Sequence, residues 1–264
     1  MKIIEQFIKG KSVDESLCED MLFYNDDFVV VADGVTAKDS TLFNGESGGK
    51  AAARAVCDAV SGFSGDIDVY EAVELMTQRV RALYEDGNCK YGAAAGVIIY
   101  SRHRNEIWSI GDCQCIINGE RHLHEKEVDR IVSDMRALVL EIARLEGATD
   151  EELMERDIGR KFVLPVLNKQ SAFANGSGRF SYGVINGKDV CKKDIIVHKV
   201  KAGDVVVLAS DGYPELCESL AESEEKLQLQ LKNNPLCDGD YRSTKGLQKN
   251  STSFDDRAYV RFIV

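Results

Sequence analysis

The sequence lacks any apolar run approaching the ~20 residues that span a bilayer, and its first residues, Met1-Lys2-Ile3-Ile4-Glu5, carry no hydrophobic secretory region. No membrane association is expected. Among its eight cysteines there is no CxxC pair, and Cys113-x-Cys115 alone is a poor zinc signature. The pattern predicts reduced thiols, mostly core fillers, in a cytoplasmic protein. Basic charge is in deficit, with a formal net charge of -11, which argues against a nucleic-acid surface and suits a site that recruits divalent cations. Histidine is scarce: His103, His122, His124 and His198 are the only four, and none adjoins an acidic motif. His122-x-His124 is expected to face solvent rather than bind a metal. Repeats, low-complexity tracts and linkers are also missing, so residues 1–264 read as a single domain.

What is present is a set of buried strands that each carry an aspartate at one end. Phe28-Val29-Val30-Val31-Ala32 runs straight into Asp33-Gly34, and Val205-Val206-Val207-Leu208-Ala209-Ser210 into Asp211-Gly212. Ile107-Trp108-Ser109-Ile110 meets Gly111-Asp112, and Asp255-Asp256 leads into the apolar C-terminal stretch Ala258 to Val264. Asp-Gly after one strand is an ordinary turn signal. Its recurrence points instead to strand ends that converge on an acidic cluster. Buried carboxylates cannot all stay ionised without a cation, and hard oxygen ligands suit Mg2+ or Mn2+.

In chain order, Lys2 to Ile8 reads as a strand, and Met21 to Tyr24 with Phe28 to Ala32 as a hairpin, preceded by the acids Glu19-Asp20. A polar loop is expected over 35–46. The following Ser47-Gly48-Gly49-Lys50 lacks the GxxxxGK[ST] frame of a phosphate loop. Helices are expected over 51–60 and 69–85, and strands over 91–100, 106–110 and 113–117. A helical insertion is expected at about 122–160, strands over 180–185, 195–200 and 205–209, a helix from Pro214 to Lys232, and a last strand. Successive hairpins mean antiparallel sheet. The economical architecture is α+β, a four-layer αββα sandwich of two antiparallel sheets flanked by helices.

The ordered set Glu19-Asp20, Val31-Ala32-Asp33-Gly34, Gly92-Ala93-Ala94-Ala95, Ile110-Gly111-Asp112, Ala209-Ser210-Asp211-Gly212 and Asp255-Asp256 resembles the type 2C, metal-dependent (PPM) serine/threonine phosphatases. The resemblance covers nearly the whole chain. It implies a Mn2+ or Mg2+ centre of two ions, with Asp33 bridging both and the Gly34 carbonyl binding one. It further implies that Asp211 and Asp255 complete one shell, and that Glu19 and Asp20 reach the other ion directly or through water. Asp112 matches a position associated with a third, weaker metal. The implied activity is hydrolysis of phosphoserine and phosphothreonine on a phosphorylated protein, with Asp33 and Asp211 catalytic through metal-activated water.

The sequence also departs from that pattern. No arginine precedes the Glu-Asp pair, where the family grips phosphate, and Lys9 and Lys11 are the nearest cations; Val35-Thr36-Ala37-Lys38 and Asp112-Cys113-Gln114 differ from the usual residues. A haloacid-dehalogenase-type reaction needs a second Asp two positions after the nucleophile, and Val35 stands there. The alternative left open is a catalytically weak relative that serves as a regulatory binding module. Oligomeric state is not legible.

Overall fold

The computed structural model describes residues 1–36, 41–43, 45–84 and 92–264. The expectations for Ala37, Lys38, Glu85, Cys89 and Tyr91 lie outside the described residues. The chain begins with β1 (Lys2–Lys9), β2 (Met21–Tyr24), β3 (Phe28–Gly34) and a short hairpin of β4 (Leu42–Phe43) and β5 (Glu46–Ser47). Helices α1 (Gly48–Ser61) and α2 (Val69–Arg81) follow, then β6 (Ala95–Ser101), β7 (Glu106–Ile110), β8 (Gln114–Ile117) and β9 (Glu120–His122). Next come α3 (Glu127–Leu145), α4 (Asp150–Glu155) and α5 (Ile158–Leu167). The chain closes with β10 (Ile196–Lys199), β11 (Val205–Ala209), α6 (Leu220–Asn233) and β12 (Arg257–Ile263).

Two five-stranded antiparallel sheets form, in the orders β1-β12-β11-β8-β9 and β10-β7-β6-β3-β2. The period-2 alternation of side chains explains why β3 is apolar throughout. Val29 and Val31 face inward with Ile98 and Tyr100 against Val206, Leu208, Val260 and Phe262 of the opposite sheet. Phe28, Val30 and Ala32 face outward against Ala52, Val56 and Val60 of α1 and Met76 of α2. On the far side Val207, Ala209 and Tyr259 pack under Tyr213 and Leu216, and α6 runs beside β1. The architecture is α+β, two antiparallel sheets flanked by helices.

Several local expectations are corrected. The helix expected from Pro214 starts at Leu220, because Tyr213 and Leu216 are drawn into the core and the Ser219 side chain caps the Glu222 amide. The stretch 180–185 is not a strand. The Asn175 side chain donates to the Val184 carbonyl and accepts from the Val184 amide, taking the groups a ladder would use. The expected polar loop contains the β4–β5 hairpin. The helical insertion runs later than expected, over α3 to α5. His122 and His124 are half-buried rather than solvent-facing; their rings lie against His198, tilted with centroids 4.4 Å apart for His122 and stacked at 5.9 Å for His124.

Candidate metal centre

Antiparallel pairing decides which strand ends meet. Because β3 pairs with β6 and β6 with β7, β3 and β7 run the same way and deliver Asp33 and Asp112 to one side. Met21 of β2 pairs with Ala32, so the residue before it, Asp20, falls beside Asp33. In the other sheet β11 runs towards Asp211 while its neighbour β12 leaves from Asp255 and Asp256. Glycine permits the close approaches. A Cβ on Gly212 would lie 2.0 Å from the Asp256 carbonyl oxygen, and one on Gly34 would lie 2.5 Å from that of Glu19. Gly111 turns the chain to Asp112 with a φ of +102°, which only glycine adopts readily.

The Gly48-Gly49 pair is part of the same packing. A Cβ on Gly49 would sit 2.8 Å from the Gly34 carbonyl carbon, so the start of α1 presses directly on the Asp33-Gly34 turn. Ser47 does not cap the helix; its hydroxyl donates to Glu19 Oε1 at 2.6 Å.

Asp33, Gly34, Asp112, Asp211 and Asp255 line one cavity of about 590 Å³, whose opposite wall comes from the helical insertion and the segment before β12. Glu19 and Asp20 are buried and do not line it, and among the described residues Asp20 Oδ2 has no hydrogen-bond partner. Burial, then the neighbouring carboxylates, hold Asp20, Asp33 and Asp211 well above the usual carboxylate range. Asp255 behaves differently. Burial pushes its carboxyl up, but Lys245 and Lys11 outweigh that and hold it below the ordinary value.

Three lysines thus sit among the acids. Lys11 Nζ lies 2.7 Å from Asp256, 3.4 Å from Glu19 and 3.4 Å from Asp255. Lys245 Nζ reaches Asp255 at 2.6 Å, and Lys126 Nζ reaches Asp112 at 2.7 Å. Lys11, one of the two cations nearest the missing arginine, is therefore spent on carboxylates. Sequence reasoning did not find Lys126 or Lys245, and no motif marks either one.

Among the described residues no group of three or more His, Cys, Asp or Glu side chains stands closed around a metal position. Repelling carboxylates held by lysines would not close unaided. The donor set nevertheless fits a hard divalent cation: among the described residues Asp20, Asp33 and Asp211 form no ion pair with a lysine, offer only oxygen, and include a buried oxygen without a partner.

By sequence, no family model and no curated protein matches the chain. Solved structures do. The catalytic domain of the serine threonine protein phosphatase PstP in complex with two manganese ions matches with a TM-score of 0.51 at 14% identity, over 100% of both chains. The PPM Ser-Thr phosphatase MsPP from Mycobacterium smegmatis, in complex with cacodylate, matches with a TM-score of 0.52 at 14% identity, again over 100% of both. The chain has the fold of the PPM serine/threonine phosphatases. A third PPM-fold structure, Mycobacterium tuberculosis PstP/Ppp, covers 98% of this chain and 97% of its own at 16% identity, with a TM-score of 0.50.

Proposed function

We propose that the protein is a metal-dependent phosphatase that hydrolyses phosphoserine and phosphothreonine on protein substrates. The observation that carries this reading is the convergence of Asp33, Asp112, Asp211 and Asp255, from different strands, on one cavity in the fold of a manganese-bound phosphatase. Asp33, Asp211 and Asp255 would hold one divalent cation, and the Gly34 carbonyl, Glu19 and Asp20 with Asp33 a second; Asp112 would serve a third. When bound, such cations lower the pKa of a water and neutralise phosphate charge. The chain's own contribution is positional. Gly34 and Gly212 let backbone approach backbone so that the carboxylates stay within reach of one another, and Thr36 fixes the Lys11 and Lys245 ammoniums at 3.1 and 3.4 Å. Those lysines keep Asp255 ionised before any cation arrives, while the insertion shields the cavity.

Release of phosphate from p-nitrophenyl phosphate and from a phosphopeptide, assayed with Mn2+ or Mg2+, tests the reading against Asp33→Asn. The expected loss in the variant is at least ~100-fold, since it removes the carboxylate shared by both cations. A second reading, a regulatory binding module, is favoured by one observation: Lys11 and Lys245 already occupy carboxylates that a cation would need. A folded wild-type protein without metal-stimulated turnover across pH 6–9 would decide for the module.

A further inference from the structure

Five basic side chains line the cavity: Lys126, Arg130, Arg160, Arg242 and Lys245. Four of them are committed to carboxylates. Lys126 is 2.7 Å from Asp112, Lys245 is 2.6 Å from Asp255, and Arg130 and Arg242 lie 3.5 and 2.8 Å from Asp134. Arg160 is the exception. Among the described residues no carboxylate lies within ion-pair distance of its guanidinium. Its Nη1 donates to the Thr244 carbonyl at 2.7 Å, and among the described residues Nε and Nη2 have no acceptor. Those two nitrogens form an edge of the planar fork that matches two phosphate oxygens at once.

The side chain is also held in place. It stands in the first turn of α5, where Asp157 Oδ1 accepts from the Arg160 amide at 2.6 Å. A Cβ on the preceding Gly159 would lie 2.7 Å from the Arg136 carbonyl oxygen, so this turn is seated hard against α3. The guanidinium is half-buried, which with the like charge of Arg136 disfavours its charged form, while the more distant carboxylates of Asp157, Asp255 and Asp129 offset this only in part. A cation desolvated in this way, near the acids and without its own counter-ion, is a receptor for an anion.

We infer that Arg160 is the phosphate anchor of this cavity, gripping two non-bridging oxygens of a phosphomonoester. It thereby takes the role of the arginine missing before Glu19-Asp20, from a different element of the fold. This assignment rests on the phosphatase reading for its substrate class, but the anchoring of phosphate can be measured without turnover.

The experiment is calorimetric titration of inorganic phosphate into the Mg2+-loaded wild-type protein, Arg160→Met and Arg160→Lys, alongside steady-state kinetics on p-nitrophenyl phosphate. The fold is checked by circular dichroism. Arg160→Met should weaken phosphate binding by roughly 10–100-fold and raise KM by a similar factor, with a smaller change in kcat. Arg160→Lys should fall between, because it keeps the charge and loses the fork; if the methionine variant fails to fold, the lysine variant decides alone. Phosphate affinity equal to wild type in the folded variants overturns the assignment, as does a wild-type protein that binds no phosphate. Arg160-dependent phosphate binding without wild-type turnover upholds the anchor and overturns the phosphatase reading instead.

Discussion

Asp33 is opposed by its own surroundings: burial and the charges of Asp20, Asp112 and Asp255 all penalise its ionised form, and Lys126 relieves that only in part. A neutral side chain of the same shape should therefore suit the metal-free fold better. Asp33→Asn is expected to stabilise the protein in EDTA, on the order of 1 kcal/mol in urea denaturation, while abolishing metal-stimulated turnover. A less stable variant in EDTA would mean that the carboxylate is a structural hydrogen-bonding group and not a repelled ligand. At this scale Asp33, Asp112 and Asp211 were legible because each stands at a strand end beside glycine, and Asp255 because Asp255-Asp256 leads into an apolar strand; local sequence carries both patterns. The lysines were not. Lys245 reaches Asp255 from inside a polar stretch, and Lys126 reaches Asp112 only because β8 and β9 bring the chain back to the cavity. Nothing within a few residues of either lysine signals that placement. Arg160 was hidden for the same reason, in the first turn of α5, a helix whose seat is set by α3.

Elements, rather than residues, place the insertion over the cavity. Arg136 of α3 is fully buried, and its Nε and Nη2 donate to Asp157 Oδ2 at 2.9 and 2.7 Å. Its Nη1 donates to the carbonyls of Cys237 and Ser243, tying α3 to the segment that leads to Lys245 and Asp255. Arg136→Met leaves Asp157 and two carbonyls without partners. It is expected to cost roughly 2–4 kcal/mol in urea denaturation, below the largest values for buried pairs because Asp157 is 21% exposed. Arg136→Met costing under ~1 kcal/mol would show the tie to be dispensable. A second link joins the edges of the two sheets: His122 at the end of β9 and the adjacent His124 lie against His198 of β10. Burial, then the charge of the neighbouring ring, holds His124 and His198 below the ordinary histidine value, while Glu120 opposes this at His198. The folded state thus resists protons that the unfolded chain accepts. Stability should be level above pH ~6.5 and fall as pH drops below it, towards the lowered folded values. His198→Phe should flatten the thermal midpoint between pH 7 and 5.5; a midpoint that falls as steeply as in wild type would place the titration elsewhere. The helices α1, α2 and α3 and the buried strands were legible from apolar period. The stretch 180–185 was misread because a single asparagine side chain outbid a strand partner, and that is a tertiary contact.

At the scale of the whole molecule, both sheets spend their interior on apolar packing and their common end on charge. Seven carboxylates (Glu19, Asp20, Asp33, Asp112, Asp211, Asp255 and Asp256) share three lysines (Lys11, Lys126 and Lys245), an excess of four negative charges. Divalent cations bound there would offset that charge. The layers and the convergence of the acids could be read from the chain because they follow from strand patterning and antiparallel connection; the strand order could not. The partial neutralisation by lysine could not, and it changes the expected metal dependence. A site of bare carboxylates would need cations simply to fold, whereas here lysines already hold Asp255, Asp256 and Asp112. The protein should therefore fold in EDTA and still be stabilised by metal, because cations bind the native arrangement and not the dispersed acids of the unfolded chain. At a free Mn2+ concentration of a hundred times Kd the gain expected from mass action is about 2.7 kcal/mol. Asp33→Asn should lose most of that gain, and Lys245→Met should show a lower thermal midpoint in EDTA but a larger metal-induced rise, since Asp255 is then left for the cation alone. A thermal midpoint that does not move with Mn2+ or Mg2+ in the wild-type protein would mean that the lysines satisfy the acids and that no cation belongs there.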